Sequence, residues 1–467
     1  MRNRIVICVG LILGAGTHAW AQDPPPPGFA PAQDSSGQNG PGQNAPAQDD
    51  AGRSGSFFSQ FSAPQQDTSR QTYDGGADQQ GRILPDPYVS DVPYQQQTLN
   101  TVLPPDAWPS PRLWIKAEGL YFWTKATPVP VPLVTIGNPG DSIPGALGQP
   151  GTSILMGNQD ITLPGRGGGR FSLGFTLDPE QITAFEATYF FVGTSSASQS
   201  VFADGSPGSA LLAIPFSNPL LPGEDSTFLS RPGVFAGSAL LTVDSFFQGA
   251  EANLFLNLPN STGLRFDMLG GFRYLNLQEN LTFQTNSPAV TGPADVFQTF
   301  DHFQTSNNFY GGQLGARATF ENSRVFANAT GKVALGGTQE YVRVNGATYT
   351  NDFNGFGSVL TYPGGYFAQS TNIGSQSRTA FAVVPEANLN FGIRMSPWAT
   401  FVVGYTFLYV SSVARPGDQI DRVINPSQAA SINGLPNNLV GPARPALGVQ
   451  SSDFWVQGLN FSLELRY

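Results

Sequence analysis

Residues 453–467 read DFWVQGLNFSLELRY. From Leu459 to Tyr467 every second residue is large and apolar (Leu459, Phe461, Leu463, Leu465, Tyr467), while Asn460, Ser462, Glu464 and Arg466 fill the alternate places. A period of two marks a β-strand with two unlike faces. In a soluble sheet the apolar face would meet a core. Here the strand stops on an aromatic residue, as the closing strand of an outer-membrane barrel does. The five alternating residues are also the expected insertion signal for barrel-assembly machinery. The expected fold class is therefore all-β, a transmembrane antiparallel up-and-down barrel sitting in outer-membrane lipid.

The other end of the chain agrees with export. Arg2 and Arg4 precede an apolar run from Ile5 to Leu13 and then Ala19-Trp20-Ala21, the three regions of a secretory signal peptide over residues 1–21. The run is too short to span a bilayer as a helix, which takes about 20 residues. The single cysteine, Cys8, lies inside it, so the mature chain is expected to lack a disulfide, a thiolate nucleophile and a thiolate metal ligand. Removing Arg2 and Arg4 takes the formal charge from −10 to −12, a balance that speaks against nucleic acid as a partner.

Only 12% of residues are charged, about half the share of an ordinary globular domain. A wall with lipid outside and a wet interior suits that composition. Residues 22–111 differ in character: rich in Pro and Gln and without apolar periodicity, they are expected to be a disordered periplasmic segment. Its scattered aromatics, among them Phe57, Phe58 and Tyr73, read first as those of a linker, with contact to a cell-wall partner or a plug for the barrel as the alternative.

The barrel itself is expected over residues 112–467. RLWIKAEGLYFWT, from Arg112, places Lys116 and Glu118 opposite Leu113, Ile115, Tyr121 and Trp123. The same alternation recurs at 169–178, 182–193, 239–258, 264–277, 309–320, 325–335, 381–395, 399–411 and in the closing strand, ten in all. Gaps between these strands alternate long and short, as periplasmic turns and external loops do in such barrels. Loop segments 201–216 and 339–344 are candidates for further strands, making twelve the alternative count.

The ordered set LWIKAEGLYFW, PLVTIG, the Gly-Gly-Arg-Phe-Ser-Leu-Gly strand, LGGFRYLNLQENL and DFWVQGLNFSLELRY resembles a planctomycete family of β-barrel porins, the seventh so numbered, over roughly residues 112–467. That resemblance implies an outer-membrane barrel of porin type. It implies no substrate and no catalytic residue.

Chemistry has few carriers. The mature chain has one histidine, His302, beside Asp301 in what reads as the third external loop; an omptin-like surface hydrolase would need an acidic partner positioned against it. One histidine and no cysteine speak against zinc. The stretch from Gly165 to Arg170 precedes no helix, so it reads as a loop entering a strand and not as a phosphate cradle. No cofactor is expected. The better candidates are the inward charges Lys116, Arg170, Arg265, Arg273, Arg317, Lys332, Arg394 and Arg466 with Glu118, Glu186, Glu251, Asp267, Glu386 and Glu464. They either line a solute path or pair across a filled lumen, and ten strands lie near the closed end of the size range. A small-solute porin, a closed structural or adhesive surface barrel and a surface hydrolase are the three functional readings.

Overall fold

A computed structural model describes residues 112–467 apart from 222, 259–262, 292–296, 352–357 and 434–437. The expectations for the leader at 1–21 and the Pro/Gln segment at 22–111 lie outside the described residues, as does most of the turn at 258–263. In chain order the strands are β1 Leu113–Thr124, β2 Thr127–Gly137, β3 Ser153–Ile161, β4 Arg166–Thr176, β5 Thr183–Ala203, β6 Leu211–Ser217, β7 Glu224–Ser230, β8 Gly237–Asn257, β9 Leu264–Asn286, β10 Phe297–Glu321, β11 Val325–Asn351, β12 Val359–Pro363, β13 Gly374–Ser396, β14 Ala399–Ala414 and β15 Ser451–Arg466.

Ten of them, β1, β4, β5, β8, β9, β10, β11, β13, β14 and β15, form one antiparallel ring. The ring closes where β15 pairs with β1, Leu463 opposite Ala117 and Leu459 opposite Tyr121. Closure leaves no unpaired sheet edge within the lipid-facing wall. Backbone bonds from Arg112 and Leu113 to the carbonyl of Tyr467 finish the seam at the turn end, at 2.8 and 3.0 Å.

The count of ten holds, but the extents do not. Alternation of lipid-facing residues had suggested that three strands stop near Leu277, begin at Phe309 and stop near Leu335. In fact β9, β10 and β11 run 23, 25 and 27 residues, whereas about 9–11 residues cross a bilayer. The segment 339–344 is the upper part of β11, and His302 lies within β10 and not in a loop. Residues 201–216 end β5 and form β6, which belongs to a separate four-stranded sheet, β3-β2-β6-β7, made by the first two long connections. Arg166 to Arg170, read as the end of a loop, already lies in β4.

Along the tall strands the two faces exchange character. In β9, Phe266, Met268 and Phe272 point out and are exposed, while Arg265, Asp267 and Arg273 point in. Beyond Tyr274 the inward residues become Leu275, Leu277, Leu281 and Phe283, and the outward ones Gln278, Asn280, Thr282 and Gln284. The lower half is sorted by lipid outside, and the upper half by water outside. The loop end of the barrel thus has a core like that of a soluble protein, in which β2, β3, β6 and β7 pack against the inner wall through Leu133, Met156, Ile214, Phe216, Leu241, Phe283, Phe303 and Val342.

Candidate functional site

Three layers fill the lumen. At the turn end lies a cavity of about 460 Å³, lined by charged and amide side chains and reaching Gln181 and Pro397 at the turns. Above it stands an apolar layer that includes Leu120, Phe122, Phe247, Leu408, Phe454 and Val456. The rings of Phe247 and Phe454 meet at 5.4 Å although their strands are not neighbours in the ring, so this layer crosses the lumen. The loop-end core closes the third level.

Every predicted lumen charge lines the cavity: Lys116, Glu118, Arg170, Glu186, Glu251, Arg265, Asp267, Arg273, Arg317, Lys332, Glu386, Arg394, Glu464 and Arg466. They come together as pairs. Arg273 reaches Glu251 at 2.7 Å and also Glu386, while Lys332 bridges the same two carboxylates at 2.9 Å each. Glu251 sits opposite Arg273 and Lys332 opposite Glu386 in the strand registers, so the ladder sets these two of the four contacts. Gln313 adds an amide donor to Glu251 at 2.9 Å. Two cations and two anions cancel, which removes the penalty of lone buried charges. Arg273 keeps one buried guanidinium nitrogen, Nη1, without a hydrogen-bond partner.

The remaining pairs are looser or nearer the mouth. Glu118 serves Lys116 at 2.5 Å and Arg170 at 3.5 Å and accepts from Asn460. Arg317 stands 3.9 Å from Glu186, which accepts the Trp114 indole N–H, and lies over the Phe255 ring at 4.5 Å. At the turns Arg265 faces Asp267 at 3.3 Å, and Arg466 pairs with Glu464. Arg394 pairs with Glu321, an acid that alternation had not singled out.

On the closing strand Leu459, Phe461, Leu463 and Tyr467 project outward and exposed, with Leu465 partly covered. Asp301 and His302 do not converge: successive residues of a strand point to opposite faces. Asp301 is buried inward, accepting backbone N–H bonds from Tyr366, Phe367 and Ala368 at 3.0, 2.9 and 2.6 Å. His302 sits on the outer face near the Phe300 ring. Burial pushes the Asp301 carboxyl up to about 7 against the opposing pull of those three donors. No group of three or more potential metal ligands occurs among the described residues.

Sequence reasoning missed Arg415 and Glu279. Both are fully buried and paired at the boundary between the apolar layer and the loop-end core, with Arg415 Nη2 at 2.9 Å from Glu279 and 3.2 Å from the Ala126 carbonyl. The guanidinium also lies over the Phe454 ring at 5.4 Å. One contact set thus ties the start of the last loop, the start of the first loop and the wall. The available signal was Glu279 standing alone in the inward series Leu275, Leu277, Leu281, Phe283, since a lone buried carboxylate requires a cation.

Similar solved structures include the outer membrane protease OmpT from Escherichia coli, with 10% identity, 76% of this chain and 97% of that chain covered, and a TM-score of 0.34. A Pseudomonas aeruginosa FadL homologue is 8% identical, with 76% and 90% covered and a TM-score of 0.20. A deletion mutant of the TodX monoaromatic hydrocarbon channel is 10% identical, with 76% and 91% covered and a TM-score of 0.18. No curated protein matches the chain. Residues 114–467 match the family described as "Putative beta barrel porin-7 (BBP7)", and the chain belongs to that family.

Proposed function

We propose that the protein is an outer-membrane porin whose path for small solutes or ions is gated and closed at rest. The supporting observation is the layered lumen: a charge-lined cavity of about 460 Å³ beneath an apolar layer that no ion crosses without displacement. With the short turns in the periplasm and the long connections outside, the cavity opens inward and the loop-built core faces the exterior. The outward row Leu459, Phe461, Leu463, Leu465 and Tyr467 serves insertion by the assembly machinery, and residues 22–111 serve as a periplasmic tether to the cell wall. No catalytic step belongs to this reading, because Asp301 and His302 face apart.

The test is single-channel conductance of the refolded mature chain in a planar bilayer, with and without residues 22–111. Rare openings are expected for the intact chain, and Arg415→Met should make them frequent by unfastening the loops. Arg273→Glu should shift ion selectivity toward cations, since it reverses one charge in the four-membered cluster. A barrel that inserts and stays silent even with Arg415→Met would instead favour the second reading, a closed surface barrel, for which the large apolar loop-end core is the specific support.

A further inference from the structure

The wall is not equally bonded all the way up. Strands β13 and β14 pair from Ser396 and Ala399 at the turn to Glu386 and Leu408, and there the ladder between them stops. Neither strand ends at that level. β13 continues along β11 to Gly374 opposite Val344, and β14 continues along β15 to Ala414 opposite Ser451. Two local features divide them. Pro385, next above the last pair, has no N–H to give to a ladder. Across from it the β14 register slips between Val410 and Val413, a bulge that bends the strand.

Above the split β14 leans into the lumen. The Asn307 side chain on β10 bonds both the N–H and the carbonyl of Ala414, at 2.7 and 2.9 Å, standing in for a neighbouring strand. The buried Glu340 on β11 gathers Ser412 at 2.9 Å, Ser451 at 2.6 Å and Arg378 at 2.8 Å. Across the split itself the Val383 N–H donates to the Ser411 hydroxyl at 2.9 Å. These are separate side-chain bonds and not a continuous backbone ladder.

The height and lining of the split indicate its use. From Ala399 to Tyr409 β14 spans eleven residues, about one bilayer crossing for a tilted strand. The split therefore opens at the level where the lipid-facing belt ends. Behind it the inner surfaces of both strands are apolar, Ala382 and Val384 on one side and Val410 and Val413 on the other. In front stands Phe381, outward and 71% exposed.

We propose that this split is a side door, through which a neutral apolar or amphipathic small molecule moves between the outer-leaflet interface and the apolar layer of the lumen. The inference rests on the outer-membrane orientation given above and adds a second class of solute to it. The upper part of the split is polar, where Glu340 holds Arg378, Ser412 and Ser451; an apolar solute would pass below it, between Ala382 and Val384 on one strand and Val410 and Val413 on the other.

The test staples the door. Val383→Cys with Ser411→Cys places a pair of thiols across the split, in a mature chain whose only native cysteine lies in the expected leader. Leu389→Cys with Tyr405→Cys staples the same two strands where they are already paired, as the control. Gram-negative host cells making each full chain are given the apolar dye N-phenyl-1-naphthylamine, with and without reductant, and gel mobility before and after heating confirms a folded barrel. Uptake above that of empty-vector cells is expected for the native chain. It should drop at least five-fold with the oxidised Val383–Ser411 staple, return on reduction, and stay unchanged with the control staple. A formed staple that leaves dye uptake intact overturns the side door. So does an absence of dye uptake in a chain that still conducts ions in a planar bilayer, which would leave the porin reading standing; a chain that does neither overturns both.

Discussion

The two halves of the tall wall obey opposite rules with one backbone pattern. In the turn-end half of β9 to β11 the side chains facing in are charged or amide and those facing out are apolar. In the loop-end half of β9 the inward set is mostly apolar and the outward set is Gln, Asn and Thr, and β10 and β11 turn Phe303, Val342 and Val344 inward beside buried polar groups such as Asn307 and Glu340. The period of two runs through without interruption, so the strand geometry does not change; the medium beyond the wall does. The comparison separates what makes a strand from what sorts its faces. The lower half fills its interior with cancelling charge, and the upper half packs apolar side chains around the fully buried Arg415–Glu279 pair.

The sharpest way to break that comparison is to unpair Arg415 and Glu279. Arg415→Met leaves Glu279 charged and uncompensated in apolar surroundings, which should cost about 3–5 kcal/mol. Combining it with Glu279→Leu should recover most of that loss, because apolar groups of similar size often replace a buried pair at little cost. Urea unfolding with proteolysis of the loops as the readout gives both numbers. A cost below about 1 kcal/mol for the single change would mean that water reaches Glu279 and that the loop end is no core.

A charge placed on the outer face should then locate the boundary between the halves. Leu389→Arg puts a cation in the middle of the apolar belt, where a lipid-facing arginine costs about 2–4 kcal/mol. Gln304→Arg puts the same group outward on β10 above the inversion, where it should cost within about 0.5 kcal/mol. Reversible folding into bilayers of defined thickness compares the two. Equal costs would place the membrane boundary elsewhere.

This inversion also accounts for what the sequence made legible. The ten crossings, their inward charges and the closing strand follow from alternation alone, because lipid sorts residues strictly. The extensions of β9, β10 and β11 did not, since the apolar outward residues that mark a crossing end at Tyr274 and Tyr310. Leu275, Leu277, Leu281 and Phe283 were in plain view as an alternating set, but of the opposite phase. Which charge meets which was not legible either. Register fixes Glu251 against Arg273, but contacts such as Lys332 to Glu251, and Arg415 from a loop to Glu279, depend on barrel curvature and on loops folding inward. The split between β13 and β14 left a trace in Pro385, a residue that weakens any ladder it joins.

The smallest expected effect is a pH slope confined to the loop end. Asp301 holds backbone donors from Tyr366, Phe367 and Ala368 but pairs with no cation among the described residues, and its carboxyl is raised to about 7 by burial. Tyr366, the titratable group beside it, is itself pushed up by burial and by that carboxylate. An unfolded aspartate titrates near 3.9, so between about pH 4 and pH 7 the folded chain holds a proton that the unfolded chain has lost. The contribution of Asp301 to the stability of the loop end is therefore fullest below about pH 4, falls as pH rises through this window and levels off above about pH 7. The slope cannot exceed about 1.4 kcal/mol per pH unit for one proton. Asp244 and Asp418 are raised by burial in the same sense, so the wild-type slope alone does not identify its source. Asp301→Asn does, because the amide cannot ionise: urea midpoints at pH 5, 6 and 7 should fall less steeply in the variant than in the native chain. Parallel slopes would mean that the three donors hold Asp301 ionised throughout, and that the upper half tolerates a bare buried charge as readily as the lower half tolerates its paired ones.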